Sequence, residues 1–303
     1  MSDTQKGILA MVMACTIWGF AALYWKLLAH LPPLEVLAHR SFWSAVTFVA
    51  VLAVQRRLSH VRAALGSPRD AVLIFCASLM ISLNWFVFIW AVGSGQATEA
   101  SLGYFLFPLV AVLAGRLLFA ESLAPLQWLA VALAACAVTL LTLGLGVPPW
   151  IALVLAASFG AYGILKKRLD VGPVVSVTAE VLLIAPLALA VILTDTQSTG
   201  VLGNSGRDAA LLLFAGVLTA TPLILFSYAA RRVSLSTVGV LQYLNPSLQF
   251  FCAVVLLGEP LGFWHAVSFP VIWVALIVYS YASWRREKSA TRAASSVSTS
   301  PTT

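Results

Sequence analysis

The sequence predicts an all-α integral membrane protein with ten transmembrane helices, because of its composition, its long apolar segments and the positions of its basic residues. Of the 303 residues, 61% are apolar and 10% are charged, and the mean hydropathy is +0.96. A soluble domain is usually about 25% charged, so water is a poor solvent for most of this surface. A β-barrel would show alternating polar and apolar residues, whereas the apolar runs here are continuous.

Ten apolar segments, each about long enough to span a bilayer, are separated by short loops rich in Pro, Gly and Asp, which favour turns. The segments are 7–29, 34–55, 70–92, 98–119, 125–144, 148–167, 175–194, 208–230, 236–257 and 263–284. The first is longer than the apolar part of a typical signal peptide and lacks a persuasive cleavage site, so we expect it to be retained. Residues 286–303 are mostly Ser, Thr, Ala and Arg, and we expect a disordered cytoplasmic tail.

The basic residues assign an orientation to these helices. If the N-terminus is cytoplasmic and ten spans alternate, 15 of the 18 Lys and Arg residues lie on the cytoplasmic side. Cytoplasmic loops of membrane proteins carry such an excess, and the reverse topology would invert it. The formal charge of +7 therefore reflects topology rather than nucleic-acid binding, and both termini are predicted to be cytoplasmic.

The four cysteines do not indicate a metal site or a disulfide framework. Each lies inside an apolar segment, and no zinc-like spacing relates Cys15, Cys76, Cys136 and Cys252. We interpret them as small buried hydrophobic residues. We expect neither a metal nor a cofactor.

The two halves of the chain resemble each other in sequence. The first matched stretch recurs 141 positions later and the second recurs 138 positions later. The matched pairs are Gly19 and Gly160, Lys26 and Lys167, Pro32 and Pro173, Pro108 and Pro246, and Glu121 and Glu259. Residues 1–145 and 146–285 would each hold five spans, and an odd number makes the second half enter the membrane from the opposite side. Many secondary transporters have such inverted repeats, with a substrate site near the midplane.

Motifs in both halves carry a resemblance to a known family. They are "IWGFAALYWKL", "LAHRSFWS", "NWFVFIWAV", "EASLGYF", "LSTVGVLQYLNP" and "GE". From about Gly7 to Trp284 the chain resembles the RarD group of EamA-type permeases, in the drug/metabolite transporter superfamily. The resemblance implies two inverted five-helix EamA repeats, a location in the cytoplasmic (inner) membrane, and export of a small organic solute. The group carries a label for chloramphenicol permease activity, so the solute could be amphenicol-like.

Two charged residues lie about one turn inside the outer face of the second span, where a charge is costly. Arg40 shares a helix face with Ser44 and Thr47, as a residue lining a watery cavity would; the alternative is that it snorkels to the headgroups. We expect Arg40 to pair with Glu99 as an outer latch. The alternative for Glu99 is an interaction with the dipole of its own helix. His39 is the second charged candidate.

Glu180 lies near the cytoplasmic side, 141 positions after His39. The two residues therefore occupy equivalent positions in the two halves, near opposite faces of the membrane. Because the protonation of a buried His or Glu responds readily to its surroundings, either could couple proton movement to transport. A structural hydrogen bond is the alternative for each.

Aromatic and amide side chains well inside the spans are the candidates for a substrate cavity, since such walls suit a flat organic solute. These candidates are Trp18, Asn84, Trp85, Tyr104, Gln242, Tyr243 and Asn245. Ordinary packing and interhelical hydrogen bonds are the alternatives. Pro108 and Pro246 lie mid-span at matched positions, and because proline removes a backbone hydrogen bond, both are hinge candidates.

The sequence contains no HExxH, GxSxG, P-loop or GxGxxG motif, which argues against an enzyme or an internal ATPase. We expect a secondary-type permease that works by alternating access. A membrane-embedded enzyme, a channel or a scaffold is the alternative. The expected partners are a small organic solute and the lipid bilayer, without nucleic acid, and a homo-oligomer is left open.

Overall fold

The computed structural model describes residues 1–119, 123–194, 205–233 and 235–298, and all regular structure within these ranges is helical. The helices are α1 (Asp3–Leu27), α2 (Pro33–Val54), α3 (Leu58–Gly66), α4 (Pro68–Gly93), α5 (Ala97–Phe119), α6 (Pro125–Leu145), α7 (Trp150–Lys167), α8 (Pro173–Thr194), α9 (Gly206–Ala230), α10 (Leu235–Gln242), α11 (Leu244–Phe251), a π-helical turn (Cys252–Leu256) and α12 (Phe263–Ser298). Within the described ranges, eight helices are long and apolar enough to cross a membrane. The prediction of an all-helical membrane protein is confirmed.

The predicted ninth span, 236–257, is not one continuous helix. Its α10 ends at Gln242 and its α11 begins at Leu244. Pro246 explains the break, because it has no N–H for the carbonyl of Gln242 and its ring clashes with that carbonyl. Pro108 lies inside α5 without ending it. The two matched prolines therefore have different local effects, and only Pro246 marks an interruption.

A short helix, α3, lies where the sequence analysis predicts only a loop. Its Val61 and Ala64 are buried in a cluster with Leu52, Ile74 and Val175. The apolar residues of this segment do recur at helical spacing, but the segment is short and bordered by arginines. Packing of this one apolar face against α8 stabilises the helix.

The chain remains helical beyond the last predicted span. The final helix, α12, continues to Ser298, so the tail that we expect to be disordered from residue 286 is helical as far as it is described. Ala, Arg, Lys and Glu in this tail are good helix formers, and extending an existing helix avoids the unfavourable nucleation step. Residues 299–303 lie outside the described ranges.

Packing between the halves follows a pattern of exchanged partners. We match α1 with α7, α2 with α8, α4 with α9, α5 with α10 and α11, and α6 with α12. Under this matching, α5 packs on α7 as α11 packs on α1, and α4 packs on α7 as α1 packs on α9. Likewise α2 packs on α9 as α8 packs on α4. Two further contacts, α2 with α8 and α6 with α12, join helices that are matched with each other. These contacts therefore either have a counterpart with the halves exchanged or join two matched helices.

Matched helices α4 and α9 also begin in the same way. The Ser67 hydroxyl accepts a hydrogen bond from the Asp70 N–H at 3.4 Å, and the Ser205 hydroxyl accepts one from the Asp208 N–H at 3.1 Å. Serine is a favoured N-cap because it satisfies an otherwise unpaired N–H of the first turn. The local sequences are SPRD and SGRD, 138 positions apart. The offset found at Pro108 therefore extends to the start of this helix pair.

Candidate substrate pathway

Arg40 is buried between two tryptophans of neighbouring helices. Its Cζ lies 4.1 Å from the ring centre of Trp85 and 4.8 Å from that of Trp25, and the residue is 7% exposed. The hydroxyls of Tyr24 and Tyr104 also lie close enough to the guanidinium to interact with it electrostatically. None of the ion pairs found in the described ranges involves the guanidinium. The indole faces stabilise the cation, but its charge is not neutralised.

Arg40 belongs to a cluster of unpartnered polar atoms on α2. These atoms are His39 Nε2, Arg40 Nε, Ser41 Oγ and Ser44 Oγ; all four are buried and lack a hydrogen bond to the part of the chain that is described. The indole N–H of Trp43 donates to His39 Nδ1 at 3.3 Å, so the proton of a neutral His39 lies on Nε2. Buried polar groups are nearly always hydrogen-bonded. The cluster therefore indicates a partner outside the described part of the chain.

The expected Arg40–Glu99 ion pair is not formed. Glu99, in the first turn of α5, instead has its Oε1 at 2.8 Å from Nε2 of His265 in α12. The latch hypothesis relied on similar depth in the membrane, which does not determine which helices are neighbours. Glu99 therefore contributes to a contact between α5 and α12, and Arg40 lies in a different environment.

A second carboxylate holds the same end of α5. Oxygens of Glu259, in the loop before α12, accept hydrogen bonds from the N–H groups of Ala97 and Thr98 and from the Thr98 hydroxyl, each at 2.7 Å. A negative charge at a helix N-terminus is stabilising. We use the name outer clamp for Glu259 with its α5 partners and the Glu99–His265 pair. Glu121, matched with Glu259 in sequence, lies outside the described residues.

Glu180 lies in a buried cluster between α7 and α8. Its Oε1 accepts hydrogen bonds from Lys166 Nζ at 2.7 Å and from the Ser176 hydroxyl at 2.9 Å. The Tyr162 hydroxyl donates to its Oε2 at 3.1 Å. The sequence predicts Glu180 as a candidate residue but does not predict these partners. Two spacings of four residues, Tyr162 to Lys166 and Ser176 to Glu180, could have revealed them.

A small cavity lies between Glu180 and the surroundings of Arg40. Its lining includes Ser41, Ser78, Trp85 and Glu180. Trp85 therefore contacts Arg40 and also borders the cavity. A connected set of polar and aromatic groups therefore extends across α2, α4 and α8, and we call it the polar path. Its members are Arg40, Ser41, Ser78, Trp85 and Glu180.

Asn84 and Tyr104 are bonded to each other. The Tyr104 hydroxyl donates to Asn84 Oδ1 at 2.7 Å, and Asn84 Nδ2 donates to the Leu155 carbonyl at 3.0 Å and to Ser158 Oγ at 3.1 Å. These bonds join α4 to α5 and α7. In this conformation Asn84 acts as an interhelical hydrogen-bonding residue, which was the alternative to cavity lining.

The remaining cavity candidates lie at other helix contacts. Trp18 packs against a phenylalanine of α9, with ring centres 6.0 Å apart. Tyr243 packs with an apolar cluster of α5, α6 and α12, and Gln249 Nε2 donates to Asn245 Oδ1 at 3.1 Å. Gln242 is the last residue of α10. The predicted cavity set is therefore divided, with Trp85 in the polar path and Tyr104 near Arg40.

The cysteines are unpaired, but they are not all buried. Cys15 and Cys252 are buried, whereas Cys76 is half-buried and Cys136 is exposed. An exposed cysteine on an apolar helix is compatible with contact to lipid. In the described ranges no group of three or more His, Cys, Asp and Glu residues is placed to hold a metal ion.

Comparisons with known proteins identify the family. The model of the EamA-like transporter family matches residues 5–143 and again residues 148–281. A Bacillus subtilis protein named as the uncharacterized transporter YojE is 40% identical over 290 residues, which cover 94% of this chain and 97% of that protein. RarD of Salmonella typhi is 40% identical over 279 residues, which cover 91% of this chain and 95% of that protein. A solved structure with 21% identity has the same fold, with a TM-score of 0.60 over 90% of this chain and 94% of that chain.

These matches extend over nearly the whole chain and agree with the apolar helices. The resemblance to the RarD group, stated from sequence motifs, is confirmed. The chain is a multi-pass membrane protein, and it belongs to the EamA-like transporter family.

Proposed function

We propose that the protein is a secondary permease that moves a small organic solute across the inner membrane by alternating access, with export as the direction. The exchange of helix partners between the halves is the observation that carries this proposal. Two similar halves can adopt two conformations of similar energy, one open to each side of the membrane. Names of relatives as transporters favour this function over a membrane-embedded enzyme. Amphenicol-like solutes are candidates through the RarD resemblance.

The mechanism requires that the second half be inverted in the membrane. The proposal counts ten crossings, with α5 and the interrupted α10–α11 unit added to the eight long apolar helices. Residues 1–145 and 146–285 then form repeats of five crossings each, with both termini in the cytoplasm. Two separate matches to one family model support this division.

The outer clamp defines the state of the transport cycle. In the proposed topology it lies on the external side, where it holds α5 of the first half to the loop before α12 of the second. The conformation described here is then closed to the outside. Outward opening separates Glu259 from the first turn of α5 and Glu99 from His265. The break before Pro246 and the following π-helical turn supply a deformable element in the neighbouring span.

Counterflow in proteoliposomes tests whether the protein is a carrier. Vesicles are loaded with an unlabelled solute and diluted into the same labelled solute, using chloramphenicol and a panel of aromatic carboxylic acids and amides. We expect at least one label to accumulate transiently, with saturation at high concentration, because a carrier exchanges bound solute. Vesicles without protein are the control. Absence of accumulation for the whole panel, or an uptake that never saturates, would contradict the proposal.

A further inference from the structure

We propose that the transported solute is an organic anion whose carboxylate, or a similar oxyanion, binds Arg40 between Trp25 and Trp85. This inference rests on the proposed function and names the substrate class of the same site. The solute would also have a flat apolar body, because indoles border the guanidinium on two sides.

Arg40 takes part in none of the ion pairs found in the described part of the chain. Four inward-lying carboxylates have other partners in this structure. They are Glu180 with Lys166, Glu99 with His265, Asp208 with His30, and Glu259 with the start of α5. Lys166 balances Glu180, so among the residues of the polar path only Arg40 is left without an ion pair. Glu35, which is buried five residues before Arg40 on α2, is also engaged in an interaction. A positively charged side chain attracts anions and disfavours cations.

The contacts of Arg40 with the two indoles do not provide acceptors for its N–H groups. Aromatic rings stabilise a desolvated cation, and the two indoles therefore offset part of the cost of placing an arginine inside the membrane. They do not satisfy the N–H donors of the guanidinium, and Arg40 Nε has no acceptor in the described chain. A buried donor without an acceptor is destabilising. An acceptor supplied by the solute removes this destabilisation.

The neighbouring orphan atoms favour the same kind of ligand. His39 Nε2 carries a proton when the ring is neutral, and the hydroxyls of Ser41 and Ser44 can each donate. Arg40 and Ser44, four residues apart, share one face of α2 and can donate to the same oxyanion, whereas His39 and Ser41 lie on either side of that face. Arginine in particular binds carboxylates through two parallel hydrogen bonds.

The cavity beside Trp85 has a volume of about 10 Å³, enough for about one water molecule, and it marks where the helices would have to separate to admit a solute. Trp85 contacts the guanidinium and borders the cavity that reaches Glu180. A rotation of this indole would join the cavity to Arg40. With the helices separated, the anionic group would meet Arg40 while the apolar body lies beside Ile81 and Ile184.

Matched pairs of probes test the inference on the purified protein in detergent. The probes are benzoate and benzamide, phenylacetate and phenylacetamide, and indole-3-acetate and indole-3-acetamide, and the readout is the ligand-dependent shift of thermal unfolding. We expect at least one carboxylate to bind about tenfold or more tightly than its neutral amide, because hydrogen bonds to charged groups are the stronger ones. In R40Q this preference should fall to near unity. R62Q, which removes an exposed arginine of α3, should keep it.

Failure of this inference can be distinguished from failure of the proposed function. Equal binding of acid and amide in every pair, no binding of any carboxylate, or an unchanged preference in R40Q would overturn the anion proposal. If R40Q does not fold, the acid-to-amide ratio of the wild type and of R40K decides, since R40K retains the charge. Saturable chloramphenicol counterflow without carboxylate binding would support a carrier and contradict an organic anion as its substrate. Carboxylate binding without counterflow of any solute would support the anion site and contradict the proposed transport function.

Discussion

Replacement of Lys166 by methionine should lower the free energy of unfolding by about 3–5 kcal/mol, because it leaves a buried carboxylate without its counter-charge. The side chain of Glu180 is 1% exposed and that of Lys166 is 20% exposed, with 2.7 Å between Nζ and Oε1. Equilibrium unfolding of K166M and wild type in mixed micelles, followed by circular dichroism, measures the difference.

Two further variants show whether the loss is caused by the isolated charge. K166M/E180Q removes both charges and should recover most of the stability, because a glutamine can still bond to Tyr162 and Ser176. K6M is the matched control, since Lys6 pairs with Asp3 at the exposed start of α1 and exposed pairs contribute little. A K166M protein as stable as the wild type, or a double variant less stable than K166M, would contradict this account of the cluster.

Alanine at Gly216 should be destabilising by about 1–3 kcal/mol, as overpacking of a tight contact usually is. A Cβ at this position would lie 2.3 Å from the carbonyl oxygen of Trp43 and 2.9 Å from the Ser44 nitrogen. These are backbone atoms of α2 and cannot rotate away. Small residues that let helices approach closely are a general feature of membrane proteins.

A second glycine inside a helix provides the control for Gly216. Gly163 lies in α7, and a Cβ there would meet nothing within 4 Å. G163A should be neutral or slightly stabilising, because alanine favours the helix by up to about 1 kcal/mol over glycine. Thermal unfolding of both variants in one detergent makes the comparison. If G216A and G163A have the same effect, then the close approach of α9 to α2 is not a determinant of stability.

Much of the fold could be predicted from the sequence, since the interactions that determine where a helix begins and ends are local in the chain. Continuous apolar runs and the short loops between them predict most of the long helices to within a few residues, because a span must satisfy its own backbone in lipid. The interruption before Pro246 was more difficult to predict. Pro108 has the same pattern and leaves its helix whole, so the outcome depends on the neighbouring helices.

The candidate site was only partly predictable. A charge inside an apolar run identifies Arg40 and Glu180, because such a charge is costly without a role. Partner choice depends on which helices touch, and the sequence contains no direct record of it. Glu99 therefore meets His265 instead of Arg40. Pairs four residues apart on one helix, such as Ser176 and Glu180, are the partners that spacing can reveal.

The inverted arrangement of the two halves is the central claim, and the side of the membrane on which two matched arginines lie tests it most directly. Arg69 and Arg207 are exposed, occupy equivalent places in the SPRD and SGRD sequences, and are 138 positions apart. R69C and R207C are made in a variant that lacks the four native cysteines, and intact cells are treated with a membrane-impermeant maleimide. We predict labelling of R207C in intact cells and of R69C only after permeabilisation. Labelling of both from the same side would contradict the inverted repeat and the two-state carrier built on it.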